Sequence, residues 1–249
     1  MTATSPSGEA SLRPSHFTLP PSNFTWAVGV TTAPRPQTTL AATRASLARA
    51  GFERIALFED ATAAGAWPTW LAALRGLLAA EPHAHAYLIA QDDALFWRGL
   101  RRYLEATLWK GEGGSLKGEG DYPTSNFTLP TSLFSPYCPG IYLRNRSAGW
   151  HRVDVGASLV GAVCWVLSPA MARTLLEGLA GLTAHARIDL IVGRFCRRND
   201  LPVYYHTPSL VQHVGNGNSA LGDPLAGPLR QAVDFVGEDH EVGRVKGEG

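Results

Sequence analysis

Asp92 and Asp93 stand side by side just past an apolar run, Tyr87-Leu88-Ile89-Ala90, with Gln91 between the run and the pair. Two adjacent carboxylates suit magnesium or manganese, which favour oxygen ligands and are commonly held by one or two protein carboxylates together with a substrate's phosphates. The chemistry this pair could do is metal-assisted work on a phosphate-bearing substrate. A plainer reading is equally open: Asp93 could cap a helix starting at the next residue.

A run of this length reads as a buried strand, and ligands bind open α/β sheets beyond the carboxyl ends of their strands. Two other strands end in polar residues. Trp26 to Thr32 reads as the first strand and runs into Val30-Thr-Thr-Ala-Pro-Arg35; 54–58 reads as the second and ends at Glu59-Asp60. Three consecutive strand ends with polar groups on one edge are how a nucleotide site is built in a doubly wound sheet. Thr31, Arg35 and Asp60 are thus candidates beside Asp92, with Arg35 able to reach a phosphate or a base.

Helices are expected between these strands: about 38–50, closed by Gly51 in the C-terminal cap position, 68–80 with Pro68 at its start, and an amphipathic helix over 94–109. Beyond these, 150–153 and 162–167 read as strands. Ser168-Pro169 opens a helix to about 179, a further helix spans about 188–198, and 202–206 is the last expected strand. A loop, Thr207 to Gly215, follows with His213 in Gln-His-Val-Gly. The alternation predicts a single α/β domain over 26–226, with a mostly parallel central sheet flanked by helices.

Lys-Gly-Glu-Gly occurs at 110, 117 and 246, and Ser-Asn-Phe-Thr at 22 and 125. Such low-complexity segments bury little apolar area, so 110–131 is expected to be a flexible insert, with 1–25 and 227–249 as tails. The alternative for the insert is a lid over the site. The 22 basic and 21 acidic residues show no basic stripe pointing to nucleic acid. Three scattered cysteines form no zinc or disulfide pattern, and neither a signal peptide nor a transmembrane run is seen, so a cytoplasmic protein is expected.

Taken together, Thr-Thr-Ala-Pro-Arg35, Gln-Asp-Asp93, Gly161-Ala-Val-Cys-Trp-Val-Leu-Ser-Pro169 and Pro208-Ser-Leu-Val-Gln-His-Val-Gly215, in this order, resemble the glycosyltransferases of the A-type fold. The resemblance covers about 30–220 without the insert. It implies a Rossmann-like nucleotide-diphospho-sugar transferase domain and a nucleotide-sugar donor, uridine diphosphate-linked by analogy. The acceptor would be a hydroxyl on a glycan or another small molecule. It further implies that Asp93 and His213 hold Mn2+ or Mg2+, and that Asp92 contacts the ribose or a metal-bound water. Gln91 stands where the family often has an acid. Asp189 matches the place of the catalytic carboxylate, with Asp154 as the spare; from the residues alone, Asp189 is equally a first-turn acid favoured by the helix dipole. Trp150 and Trp165 could stack on a sugar or belong to the core. A catalytically inactive nucleotide- or glycan-binding module is the competing function.

Overall fold

The computed structural model describes residues 24–34, 38–108, 131–140, 147–153, 159–182, 187–215 and 231–239. Arg35, Asp154 and all but Thr131 of the expected insert lie outside them, as do 1–23 of the expected N-terminal tail.

Strands β1 (Trp26–Thr32) and β3 (Ala86–Gln91) pair in parallel, and β1 also pairs in parallel with β2 (Ala56–Glu59). Side chains alternate across the sheet, so one apolar run feeds two cores. Val28, Val30, Leu88 and Ala90 enter one core, while Ala27, Tyr87 and Ile89 enter the other. Helix α1 (Leu40–Arg49) lies over the first with Leu47, and α2 (Ala66–Ala80) over the second with Trp67, Trp70 and Leu74. Gly51 follows α1 at φ +99°, the left-handed conformation that its cap position demands.

The remaining elements are β4 (Ala94–Phe96), α3 (Leu100–Leu108), β5 (Leu133–Ser135), β6 (Gly149–Arg152), β7 (Cys164–Leu167), α4 (Pro169–Leu179), α5 (Ile188–Arg198), β8 (Val203–Thr207) and β9 (Val211–His213). Seven strands form one sheet in the order β2-β1-β3-β7-β5-β8-β6, and β4 pairs with β9 in a separate ribbon. In the main sheet β2, β1, β3, β5 and β8 run one way, and β7 and β6 run against them. The mixed α/β class with a mostly parallel sheet is therefore as expected. The chain steps outward from β1 to β2 and returns across it to β3, so the strand order reverses at β1. Open α/β sheets bind ligands beyond such a reversal.

Several local expectations need correction. The single helix over 94–109 is instead a strand and a shorter helix: Ala94 pairs with His213 and Phe96 with Val211, and α3 begins only at Leu100. No helix starts after Asp93, so that residue is not a helix cap. The loop expected over 207–215 contains β9, and β5 was not foreseen. By its contacts one compact unit runs from Phe24 to His240. Ala232 is buried in the α1-side core, with Phe235 and Val236 packed against it.

Trp165 is fully buried, edge-to-face with Trp70 at 5.6 Å, so it is a core residue and cannot meet a sugar. Trp150 is half-buried, with its ring against Phe134 and His206. The helix opened by Ser168 is as expected: its hydroxyl accepts the Met171 amide at 3.1 Å. Among the described residues no helix is long and apolar enough to cross a membrane.

Candidate metal and nucleotide site

The site is built at the carboxyl edge shared by β2, β1 and β3. The register sets Thr31 opposite Gln91 and Thr32 opposite Glu59, so the three polar strand ends lie side by side. The backbone ties continue past the strands: the Asp60 amide donates to Thr32 O at 2.9 Å, and the Asp92 amide to Thr31 O at 3.1 Å.

The turn at Asp92-Asp93 is held by hydroxyls. Thr32 Oγ1 donates to Asp92 Oδ2 at 2.5 Å. From α1, Thr39 Oγ1 and Thr43 Oγ1 both donate to the Asp92 carbonyl, at 2.5 and 2.8 Å. Thr43 also accepts the Ala94 amide at 3.2 Å, and one turn further Ser46 Oγ accepts the Phe96 amide at 2.8 Å. Thr39 is the N-cap of α1 yet makes no side-chain capping bond, because its hydroxyl is turned to the acidic segment. Thr39, Thr43 and Ser46 share one helix face by their spacing. A helical hydroxyl stripe thus does for residues 92–96 what a neighbouring strand would do. The sequence reading missed Thr32, Thr39 and Thr43; the Thr-x3-Thr-x2-Ser spacing, which puts three hydroxyls on one face of α1, was the signal available.

Asp93 and His213 come together from 120 residues apart, Oδ2 to Nε2, at 3.1 Å. The β4–β9 ribbon brings them there, reinforced by the Val214 amide donating to Asp93 O at 2.8 Å. His213 is 5 % exposed, and its Nδ1 is buried without a hydrogen-bond partner among the described residues. Gly215 borders both donor atoms: a Cβ there would stand 2.9 Å from Asp93 Oδ2 and 3.0 Å from His213 Nε2. Any side chain at 215 would fill the space in front of the pair.

This arrangement fits a divalent ion. Adjacent ligands of an octahedral ion with bonds of about 2.1 Å lie about 3 Å apart, close to the separation of Asp93 Oδ2 from His213 Nε2. A carboxylate with an imidazole suits manganese better than magnesium. Among the described residues no group of three or more His, Cys, Asp or Glu side chains forms a metal cage. The remaining ligands would be water and substrate oxygens, the usual arrangement for ions that bind phosphates.

The other expected site residues are engaged locally. Thr31 is buried, its hydroxyl directed at Ala90 O at 3.3 Å. Asp60 accepts the Ala64 and Gly65 amides on its two oxygens, at 2.7 and 2.8 Å, and so shapes the entry to α2. Asp189 is 5 % exposed and takes four bonds: Oδ1 from Arg187 Nε and the Leu190 amide, Oδ2 from Arg187 Nη2 and the Gly161 amide. Its place is still relevant. Gly161 lies two residues before Val163, whose carbonyl accepts the Gln91 amide at 2.9 Å, so Asp189 anchors the loop that borders the acidic turn.

Compared with known proteins, the chain matches no family model, and no curated protein matches it.

Proposed function

We propose that the protein is a metal-dependent glycosyltransferase of the A-type fold, moving a sugar from a nucleotide-sugar donor, uridine diphosphate-linked, to a hydroxyl acceptor. The observation that carries this reading is the convergence of Asp93 and His213 beside Gly215, at the carboxyl edge of a sheet whose strand order reverses at β1. In this reading Asp93 and His213 hold Mn2+ or Mg2+, which as a Lewis acid neutralises the charge developing on the diphosphate leaving group. Thr32 holds the Asp92 carboxylate at the end of β1, the position from which Asp92 is proposed to meet the donor's ribose or a metal-bound water. Asp60 and Thr31 shape the neighbouring strand ends on the nucleotide side, and Arg35, outside the described residues, is proposed as a phosphate or base contact from its sequence position alone.

The acceptor hydroxyl must lose a proton, and Asp189 is the proposed base. To take the proton it must release one of its four donors. That cost favours one competing reading, a module that binds nucleotide-sugar or glycan without turnover. Incubating the protein with Mn2+ and a panel of nucleotide-sugars separates them. Slow donor hydrolysis or transfer supports the enzyme; metal-dependent binding without product supports the binding module; no binding to any donor contradicts both.

A further inference from the structure

The segment 231–239 returns along the outer edge of β9 and over the start of α3. Its middle is pinned by Val236, whose amide donates to Ser209 O at 3.2 Å, and its end by Glu238. The Glu238 carbonyl accepts the Arg98 amide at 2.8 Å, and its carboxylate accepts Ser46 Oγ and Arg49 Nη2, both at 2.6 Å. Burial works against the charge on Glu238, but the Ser46 hydroxyl and the Arg49 and Arg98 guanidinium groups outweigh it and hold the carboxyl below its ordinary range. Ser46 is the same hydroxyl that accepts the Phe96 amide of β4.

The other end of the segment reaches the site through one side chain. Gln212 Oε1 accepts the Ala232 amide at 2.8 Å and Gln212 Nε2 donates to Ala232 O at 3.0 Å, so the carboxamide grips Ala232 as a strand backbone would. The same Oε1 accepts the amide of His213 at 3.0 Å. On one side His213 is tied to β4; on the other its amide rests on a side chain that is clamped to the C-terminal segment. Losing the clamp leaves this N–H and the Ala232 groups without their partners, and the short ribbon then has a loose edge.

Resting on the metal-site reading above, we infer that Gln212 is a positioning residue, and that through it the C-terminal segment 231–239 holds His213 in register with Asp93. The segment is thus a working part of the site. Outer groups that orient metal ligands commonly change affinity 10- to 100-fold when removed, and Gln212 acts one step further back, on the His213 backbone amide.

The test uses the full chain with Gln212→Ala and Gln212→Glu. The glutamate still accepts from the His213 and Ala232 amides but sets a carboxylate against Ala232 O, so it remains informative if the alanine variant does not fold. Arg152→Ala, which cuts the exposed Arg152–Asp200 pair away from the segment, is the control and is expected to leave metal binding unchanged. Two readouts are taken: Mn2+ affinity, and the ring nitrogen shifts of His213 in metal-free protein at fixed pH. We expect Mn2+ to bind about 10-fold more weakly to Gln212→Ala, to a lesser degree in Gln212→Glu, with the His213 ring signals displaced in both. Unchanged ring signals in a folded variant overturn the inference. If wild type binds no Mn2+ while the ring signals still move, the metal reading fails and the positioning role stands.

Discussion

Asp92 and Asp93 divide their work. The Asp92 side chain is oriented by Thr32, and its carbonyl takes two threonine hydroxyls; Asp93 points across to His213. Asp93→Asn keeps the volume and removes the charge, so Mn2+ binding is expected to fall at least 10-fold with the melting temperature little changed. Titrating the metal against a thermally matched variant checks this. Thr43→Val keeps the shape but strands the Ala94 amide and leaves the Asp92 carbonyl with Thr39 alone; a stability loss of about 1–3 kcal/mol by urea denaturation is the expected result. A third residue governs acid stability. His206 is buried, with Nε2 at 2.6 Å from Tyr103 Oη and Nδ1 at 2.7 Å from Pro208 O. Burial pushes its imidazole down to about 4, with His151 adding to the effect and the Pro208 bond opposing it. Because the unfolded chain takes up that proton first, stability is complete above about pH 6.5 and declines as pH falls toward 4, by about 3 kcal/mol. His206→Gln should flatten that decline; an unchanged slope would show that other groups set it.

Among the elements, β1 and β3 were legible because strands buried on both faces read as short apolar runs whatever surrounds them. The 188–198 helix was legible from its own local signals. The segment after Asp93 was not. Leu95, Leu100, Tyr103, Leu104 and Leu108 have helical spacing, yet Ala94–Phe96 is drawn into a strand by β9 and by Thr43 and Ser46 of α1. Those partners lie 50 or more residues away, beyond any local pattern. The C-terminal segment was hidden for the same reason: its low-complexity composition suggests a tail, and long-range contacts, among them the Ser46–Glu238 bond across 192 residues and the Gln212 clamp, reveal its place. For the site, the two metal-ligand candidates were legible by type and order, whereas the hydroxyls that hold them were not, since threonine on a helix is ordinarily unremarked. Ser46→Ala removes the hydroxyl shared by β4 and Glu238. A lowered melting temperature together with weaker Mn2+ binding is expected; a thermal effect alone would separate α1 from the site.

At the scale of the molecule, two cores hold the sheet from opposite sides, and the site lies at the carboxyl edge of β2, β1 and β3. The α2 side is anchored by Trp67, Trp70 and Trp165, stacked and edge-to-face at 5.7 and 5.6 Å. Trp165→Ala should therefore lower stability by about 3–5 kcal/mol, measured by denaturant, while the intrinsic Mn2+ affinity of the folded fraction stays as it was. In the proposed function Asp93 and His213, 120 residues apart, form one metal site for a nucleoside diphosphate. Calorimetric titration of uridine diphosphate, with and without Mn2+, into wild type, Asp93→Asn, His213→Ala and the double variant tests it most directly. Binding that requires Mn2+ in wild type, falls at least 10-fold in each single variant and falls little further in the double variant is the expected result, because ligands of one ion are not additive. Uridine diphosphate affinity indifferent to Mn2+ or to both substitutions would contradict it.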